Sequence, residues 1–215
     1  MEGTLTDRGP FDNFSGRVQR ARGAQAVPGL FLMTDSRLPD PLAVARGLPR
    51  GSAVVVRTPT AGQNRALFAA LVPLARSGAL RLLATLPLTP ISRRTAHGVH
   101  LDEAWVKRHP HRRRLCLPKN FIVTVSAHDR AAVIRAIRFG ADAIFASPLH
   151  ASASHPNKKS LGFWRFHALF GGHKAQRSVE TAKIIALGGV TAEDMARLRR
   201  QGVWAIAGID LFRRP

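Results

Sequence analysis

Tyrosine is missing altogether, cysteine occurs once, and only 13 acidic residues face 33 lysines and arginines. With Cys116 alone, no intrachain disulfide can form; the fold must rest on its apolar core, which fits a reducing cytoplasm. No apolar run approaches the ~20 residues that span a bilayer, so a soluble protein without a transmembrane helix is expected. Residues 1–28 lack both the charged-then-apolar pattern of a signal peptide and any periodicity. They are expected to form a disordered basic extension ahead of a single domain over 29–215. Zinc-finger spacing, basic-zipper heptads and an aromatic RNA-binding strand are also absent.

What the chain does have is positive charge, a formal +20 over 215 residues. Its densest clusters are Arg17–Arg22 and Lys107–Arg114. Nonspecific attraction to nucleic acid at low salt is expected from such a balance. Without a recognition motif, a solvated surface is the simpler expectation for both clusters. His109 and His111 lie in the second one with no cysteine or carboxylate near enough to build a metal site. A basic surface also suits a small phosphorylated substrate.

Eight short apolar runs recur: Leu30–Met33, Ala53–Arg57, Leu80–Ala84, Gly98–Leu101, Phe121–Val125, Asp142–Ala146, Ile184–Leu187 and Val203–Ala207. Between them, Pro41–Gly47, Asn64–Ser77, Arg130–Phe139 and Ala192–Arg200 carry apolar residues at three- and four-residue spacing, as helices packed on a sheet do. Gly47, Gly78, Gly140 and Gly202 stand where helix C-caps belong. Pro90–His97 leaves room for about two turns of helix. Fully apolar strands alternating with helices predict a parallel sheet, and eight strands close a barrel. The expected fold is therefore an α/β (β/α)8 TIM barrel; an open doubly wound sheet is the competing architecture.

In such a barrel the residues just past each strand face the active site. The last two strands end in glycine, at Gly188-Gly189 and at Gly208 followed by Ile209. Glycine there lets backbone N–H groups approach a phosphate oxygen closely, so a phosphate ester is the expected ligand. Other strand-end residues are Asp35, Arg57, Asp102, Glu103, Ser126 and His128.

Five of these segments, in order, resemble signatures of the thiamine phosphate synthase/TenI superfamily. They are Leu30-Phe-Leu-Met-Thr-Asp35, His97-Gly-Val-His-Leu101, Val125-Ser-Ala-His128, Gly140-Ala-Asp-Ala143 and Ala186-Leu-Gly-Gly-Val190. The likeness runs from about Gly29 to Phe212. It implies a TIM barrel, often dimeric, that binds a thiazole phosphate in thiamine metabolism.

The departures from that pattern matter for activity. The synthase joins a pyrimidine pyrophosphate to thiazole phosphate and needs Mg2+ and cations on the leaving group. Its second-strand Arg-x-Lys is Arg57-Thr58-Pro59 here, and its third-strand Asn-Asp aligns with Ala84-Thr85. The aspartate of its Gly-Gln-Glu-Asp aligns with Trp105, and its Thr-x-Thr-Lys loop with Ser152-Ala153-Ser154-His155. The aligned metal carboxylates and lysines are thus missing. Replacement would fall to Asp35, Asp102 and Glu103 for Mg2+, and to Lys158 or Lys159 for the leaving group.

The retained set instead implies a TenI-type isomerase that moves a proton to aromatise a thiazole carboxylate phosphate, without metal or other cofactor. The resemblance gives His128 the acid–base role. Ser126 beside it and His155 are further catalytic candidates. Arg57, Ser152, Ser154, Gly188, Gly189, Gly208 and Ile209 are candidates for binding the substrate and its phosphate. His100 is either functional or a buried core histidine. A synthase and a catalytically silent regulatory barrel remain as alternatives.

Overall fold

The strand runs form through residues buried on both faces. In the computed structural model, described over residues 19–20, 26–111, 115–118, 120–150, 160–171 and 182–212, eight strands form one closed parallel barrel. They are β1 (Leu30–Met33), β2 (Ser52–Val55), β3 (Leu80–Thr85), β4 (Gly98–Leu101), β5 (Ile122–Ala127), β6 (Ala143–Ala146), β7 (Lys183–Ala186) and β8 (Ala205–Gly208). Neighbours in sequence are neighbours in the sheet, and β8 closes on β1 through Ile206–Leu30 and Gly208–Leu32. The doubly wound alternative is excluded by this closure.

Alternate residues face opposite ways. Phe31, Met33, Val55, Leu83, Phe145 and Ile185 share the cluster that fills the barrel. Leu32, Val54 and Leu82 pack outward against Phe68, Leu71 and Val72 of a surrounding helix. The rings of Phe31 and Phe145 meet edge to face, 5.1 Å apart.

The outer helices are α1 (Pro41–Arg46), α2 (Ala61–Arg76), α3 (Pro90–Thr95), α4 (Glu103–Arg108), α5 (Arg130–Phe139), α6 (Gly162–Phe166) and α7 (Asp194–Arg200). A π-helical turn, His167–Gly171, extends α6, and a 3-10 turn, Asp210–Phe212, follows β8. Thr60 caps α2 by accepting from the Gln63 N–H at 3.2 Å, and Asp129 caps α5 by accepting from Ala132 at 2.7 Å. These caps satisfy N–H groups that the first helical turn leaves without partners. Gly140 takes the left-handed conformation expected after α5, whereas Gly47 stays right-handed and needs no glycine for its backbone.

Order starts before residue 29. Gln19–Arg20 pairs antiparallel with Ala26–Val27, Val27 is buried, and its carbonyl accepts from the Trp204 indole at 3.2 Å. These paired residues lie within the stretch 1–28 that was expected as an extension. Among the described residues no helix is long and apolar enough to cross a membrane.

Candidate active site

The carboxyl ends of the strands open into a cavity of about 1130 Å³. β2 brings Arg57 to its wall, β5 brings Ser126 and His128, β7 brings Gly188 and Gly189, and β8 brings Gly208 and Ile209. All the predicted binding and catalytic positions that are described therefore share one space. Ser152, Ser154, His155, Lys158 and Lys159 lie outside the described residues.

Each wall residue has a local reason for its place. Thr34, fully buried, donates to the Arg57 carbonyl at 2.8 Å and accepts from the Arg57 N–H at 2.8 Å. This clasp fixes the chain where β2 ends. Just past β5, the His128 N–H donates to Glu103 at 3.3 Å, and Glu103 pairs with Arg135 at 2.7 Å. The His128 ring is held across the sheet by Ser147: Nδ1 lies 3.1 Å from the Ser147 carbonyl and 3.0 Å from its hydroxyl. A carbonyl can only accept, so the ring bonds it only through an Nδ1–H, the tautomer whose Nε2 keeps a lone pair, while the Ser147 hydroxyl can serve either tautomer.

The glycine turn after β7 is shaped by close packing. Gly188 and Gly189 have φ of +91° and +63°, and a Cβ at Gly188 would come within 3.0 Å of the Pro148 Cα. Its carbonyl accepts from the His150 N–H at 3.0 Å. The His150 ring then reaches Asp194 at 3.1 Å, and Asp194 accepts from the Thr191 N–H at 2.8 Å. One residue after β6 thus holds both ends of the turn that follows β7.

His100 is a buried, hydrogen-bonded histidine, as one of its two expected roles required. Nδ1 lies 2.9 Å from Thr124 Oγ1 and Nε2 lies 3.0 Å from Ser126 Oγ. Burial, aided by the Arg57 charge, pushes its pKa down from 6.5 to about 3. It is neutral wherever the protein is folded near pH 7. Burial disfavours ionisation of Asp35, but Arg37, which bonds both its oxygens, and the Arg57 charge outweigh that and hold its pKa below the ordinary value.

The carboxylates expected as Mg2+ substitutes are all committed elsewhere. Asp35 is paired with Arg37, Glu103 with Arg135, and Asp102 caps α4 by accepting from the Trp105 N–H at 2.5 Å. At the end of β3, Thr85 donates to the Val56 carbonyl and accepts from Asn64. Trp105 stacks on His109 at 4.3 Å on the cavity rim. No group of three His, Cys, Asp or Glu among the described residues is placed to hold a metal ion. Mg2+ is held through one or two carboxylates plus substrate phosphates, so these pairings would have to open for Asp35, Asp102 or Glu103 to serve it.

Sequence reasoning placed the Lys107–Arg114 run on solvated surface. Lys107 and Arg108 are indeed exposed, yet they also line the cavity mouth. Ser147 reads in the sequence as a strand-end residue of the active-site face, but its contact with His128 arises only when β5 and β6 lie side by side, as the role of Thr124 arises only from the pairing of β4 and β5. The alternation of polar Thr124 and Ser126 within an apolar β5 was the available signal.

A closed parallel barrel with its polar side chains gathered at the strands' carboxyl ends defines a (β/α)8 barrel protein. The family model described as thiamine monophosphate synthase matches residues 31–212, and the chain belongs to that synthase/TenI family. A protein of Aquifex aeolicus (strain VF5), provisionally named thiamine-phosphate synthase 2, is 33% identical over 122 residues; these are 54% of this chain and 58% of that protein. The chain thus aligns with little more than half the length of this curated relative. Thiamine phosphate pyrophosphorylase from Pyrococcus furiosus superposes with a TM-score of 0.60 at 18% identity, covering 84% of this chain and 85% of its own. The corresponding Bacteroides thetaiotaomicron structure gives 0.50 at 14% identity, covering 85% and 82%. Both structural likenesses speak to the fold.

Proposed function

We propose that the cavity binds a thiazole phosphate and that His128 moves a ring proton of it without a metal ion. The observation that carries this reading is the His128–Ser147 contact. With Nδ1–H turned to that carbonyl, the Nε2 lone pair would serve the cavity that Arg57 and the glycine turns also line. Backbone N–H groups around Gly188, Gly189, Gly208 and Ile209 would hold the phosphate. Arg57 would take a ring carboxylate through paired hydrogen bonds.

The proton transfer balances within the substrate. The ring C–H bond breaks as Nε2–H forms, and the bonding electrons enter the ring. The same proton then returns to another carbon, so nothing is oxidised or consumed. The Ser147 carbonyl stabilises the transient imidazolium through Nδ1–H. His155 is a second proton carrier in this proposal.

Synthase chemistry is the second reading, favoured by the family model and the Aquifex relative. The committed carboxylates count against it. Following ring-proton exchange of thiazole carboxylate phosphate in D2O by NMR tests the proposal. Turnover without added metal that disappears in His128→Ala supports it; no turnover under these conditions contradicts it.

A further inference from the structure

We propose that Ser126 is a fixed hydrogen-bond acceptor on the cavity wall, set in that role by His100 and Thr124, and that the cavity selects ligands with an N–H donor there. The ligand half of this inference rests on the cavity being a thiazole phosphate site; the hydrogen-bond half does not.

The Val99 carbonyl accepts from Thr124 Oγ1 at 3.3 Å. A threonine hydroxyl has one proton. Having spent it on Val99, Thr124 can only accept from His100, so His100 Nδ1 carries a proton across the 2.9 Å contact. Low basicity keeps the imidazole neutral, so its Nε2 has a lone pair and no proton. The 3.0 Å contact from Nε2 to Ser126 Oγ must then use the serine proton.

Ser126 consequently turns its hydrogen inward and its lone pairs toward the cavity that it lines. Phe145 presses edge-on against the imidazole, with centroids 4.7 Å apart, and resists rotation of the ring. The chain Val99–Thr124–His100–Ser126 lies in the barrel wall, with Thr124 and His100 buried. An anionic oxygen placed against Ser126 would meet only lone pairs. Phosphate and carboxylate are directed elsewhere in the cavity, and a protonated ring nitrogen or an exocyclic amine is accepted. Thr124 and His100 are positioning residues in this scheme; they act on the ligand through Ser126.

Ring 15N shifts of His100 in the ligand-free protein test the hydrogen-bond half directly. The Nδ1–H tautomer, unchanged between pH 5 and 8, is expected; the Nε2–H tautomer or a titration in that range overturns the proposal. Thr124→Ser keeps the hydroxyl and should preserve the tautomer. Thr124→Val should mix the two, and a variant that keeps the wild-type ratio counts against the relay.

For the ligand half, the probes are 4-methyl-5-(2-phosphooxyethyl)thiazole and its 2-amino analogue, titrated calorimetrically. The amino compound should bind about fivefold more tightly, the scale of one hydrogen bond, and Ser126→Ala should erase that ratio. Equal affinities in the wild type, or a ratio that survives Ser126→Ala, overturn the selectivity. If neither probe binds, the thiazole phosphate reading and the selectivity built on it both fail, while the His100 tautomer still decides the relay.

Discussion

His128, just past β5, and Ser147, just past β6, are joined at 3.1 Å from imidazole Nδ1 to backbone carbonyl. That carbonyl, which no side-chain substitution removes, favours the Nδ1–H tautomer of His128. This makes His128 the clearest candidate for moving a proton in the cavity. His128→Ala should lower kcat for thiazole isomerisation by about 10²–10⁴-fold, the usual scale of general acid–base catalysis. Calorimetric affinity for thiazole phosphate should change little, because the glycine turns stand on other strands. Loss of binding in parallel with kcat would instead give His128 a binding role.

Gly188 separates phosphate binding from proton transfer. Its φ of +91° and the 3.0 Å approach to Pro148 leave no room for a side chain. Gly188→Ala should cost about 1–2 kcal/mol of stability for the left-handed backbone alone and displace the neighbouring N–H groups. Thermal unfolding and thiazole phosphate titration check this: a lower Tm with at least tenfold weaker binding is expected. A variant that binds normally would remove the turn from the phosphate site.

Two histidines should make the protein less stable in mild acid. Burial pushes His100 down to about 3 and, helped by Arg81, pushes His97 down to about 4, both from 6.5. Above pH 6.5 neither the folded nor the unfolded state holds these protons, so stability is flat in pH. Between 6.5 and about 4 the unfolded chain takes them up and the fold does not, so stability falls as pH falls. Below about 4 His97 protonates in the fold as well, leaving the His100 contribution, which ends near 3. Asp35, whose pKa is lowered from 3.8, adds a further loss below that value. Urea midpoints from pH 7 to 4.5 should fall steadily. The slope should be shallower in His97→Asn, where the amide oxygen can still accept from the Leu82 N–H that His97 Nδ1 receives at 3.2 Å. An identical slope in that variant would contradict the assignment.

Much of this was legible in the chain because barrel strands are buried on both faces and announce themselves as apolar runs. Leu30–Met33, Gly98–Leu101 and Arg130–Phe139 have the expected boundaries, and the others shift by one to three residues. Most of those shifts fall where a strand or helix end is decided by its neighbour. β5 runs on to Ala127, for example, because Ser126 and Ala127 pair with Phe145 and Ala146. The strand-end rule points to Arg57, Ser126, His128, Gly188 and Gly208, and all of them line one cavity. It could not reveal that Asp35 is spent on Arg37, or Glu103 on Arg135, because those pairings depend on side-chain reach and packing. Nor could it show the Val99–Thr124–His100–Ser126 chain, which links residues 24 to 26 positions apart. Gly98 reads in sequence as an ordinary strand glycine, yet a Cβ there would lie 2.3 Å from the Ile122 carbonyl oxygen. Only the close approach of β4 to β5 explains it.

In the proposed reaction this barrel works on a thiazole phosphate without Mg2+, its carboxylates being held by Arg37, Arg135 and the first turn of α4. The most direct measurement is a coupling assay on the purified protein with pyrimidine pyrophosphate, thiazole phosphate and Mg2+, reading thiamine phosphate by fluorescence after oxidation. No thiamine phosphate above background is expected, with thiazole phosphate still bound in a parallel titration. Product formed at a rate abolished by a chelator would contradict it, and would mean that Asp35, Asp102 or Glu103 leaves its present partner to hold the metal.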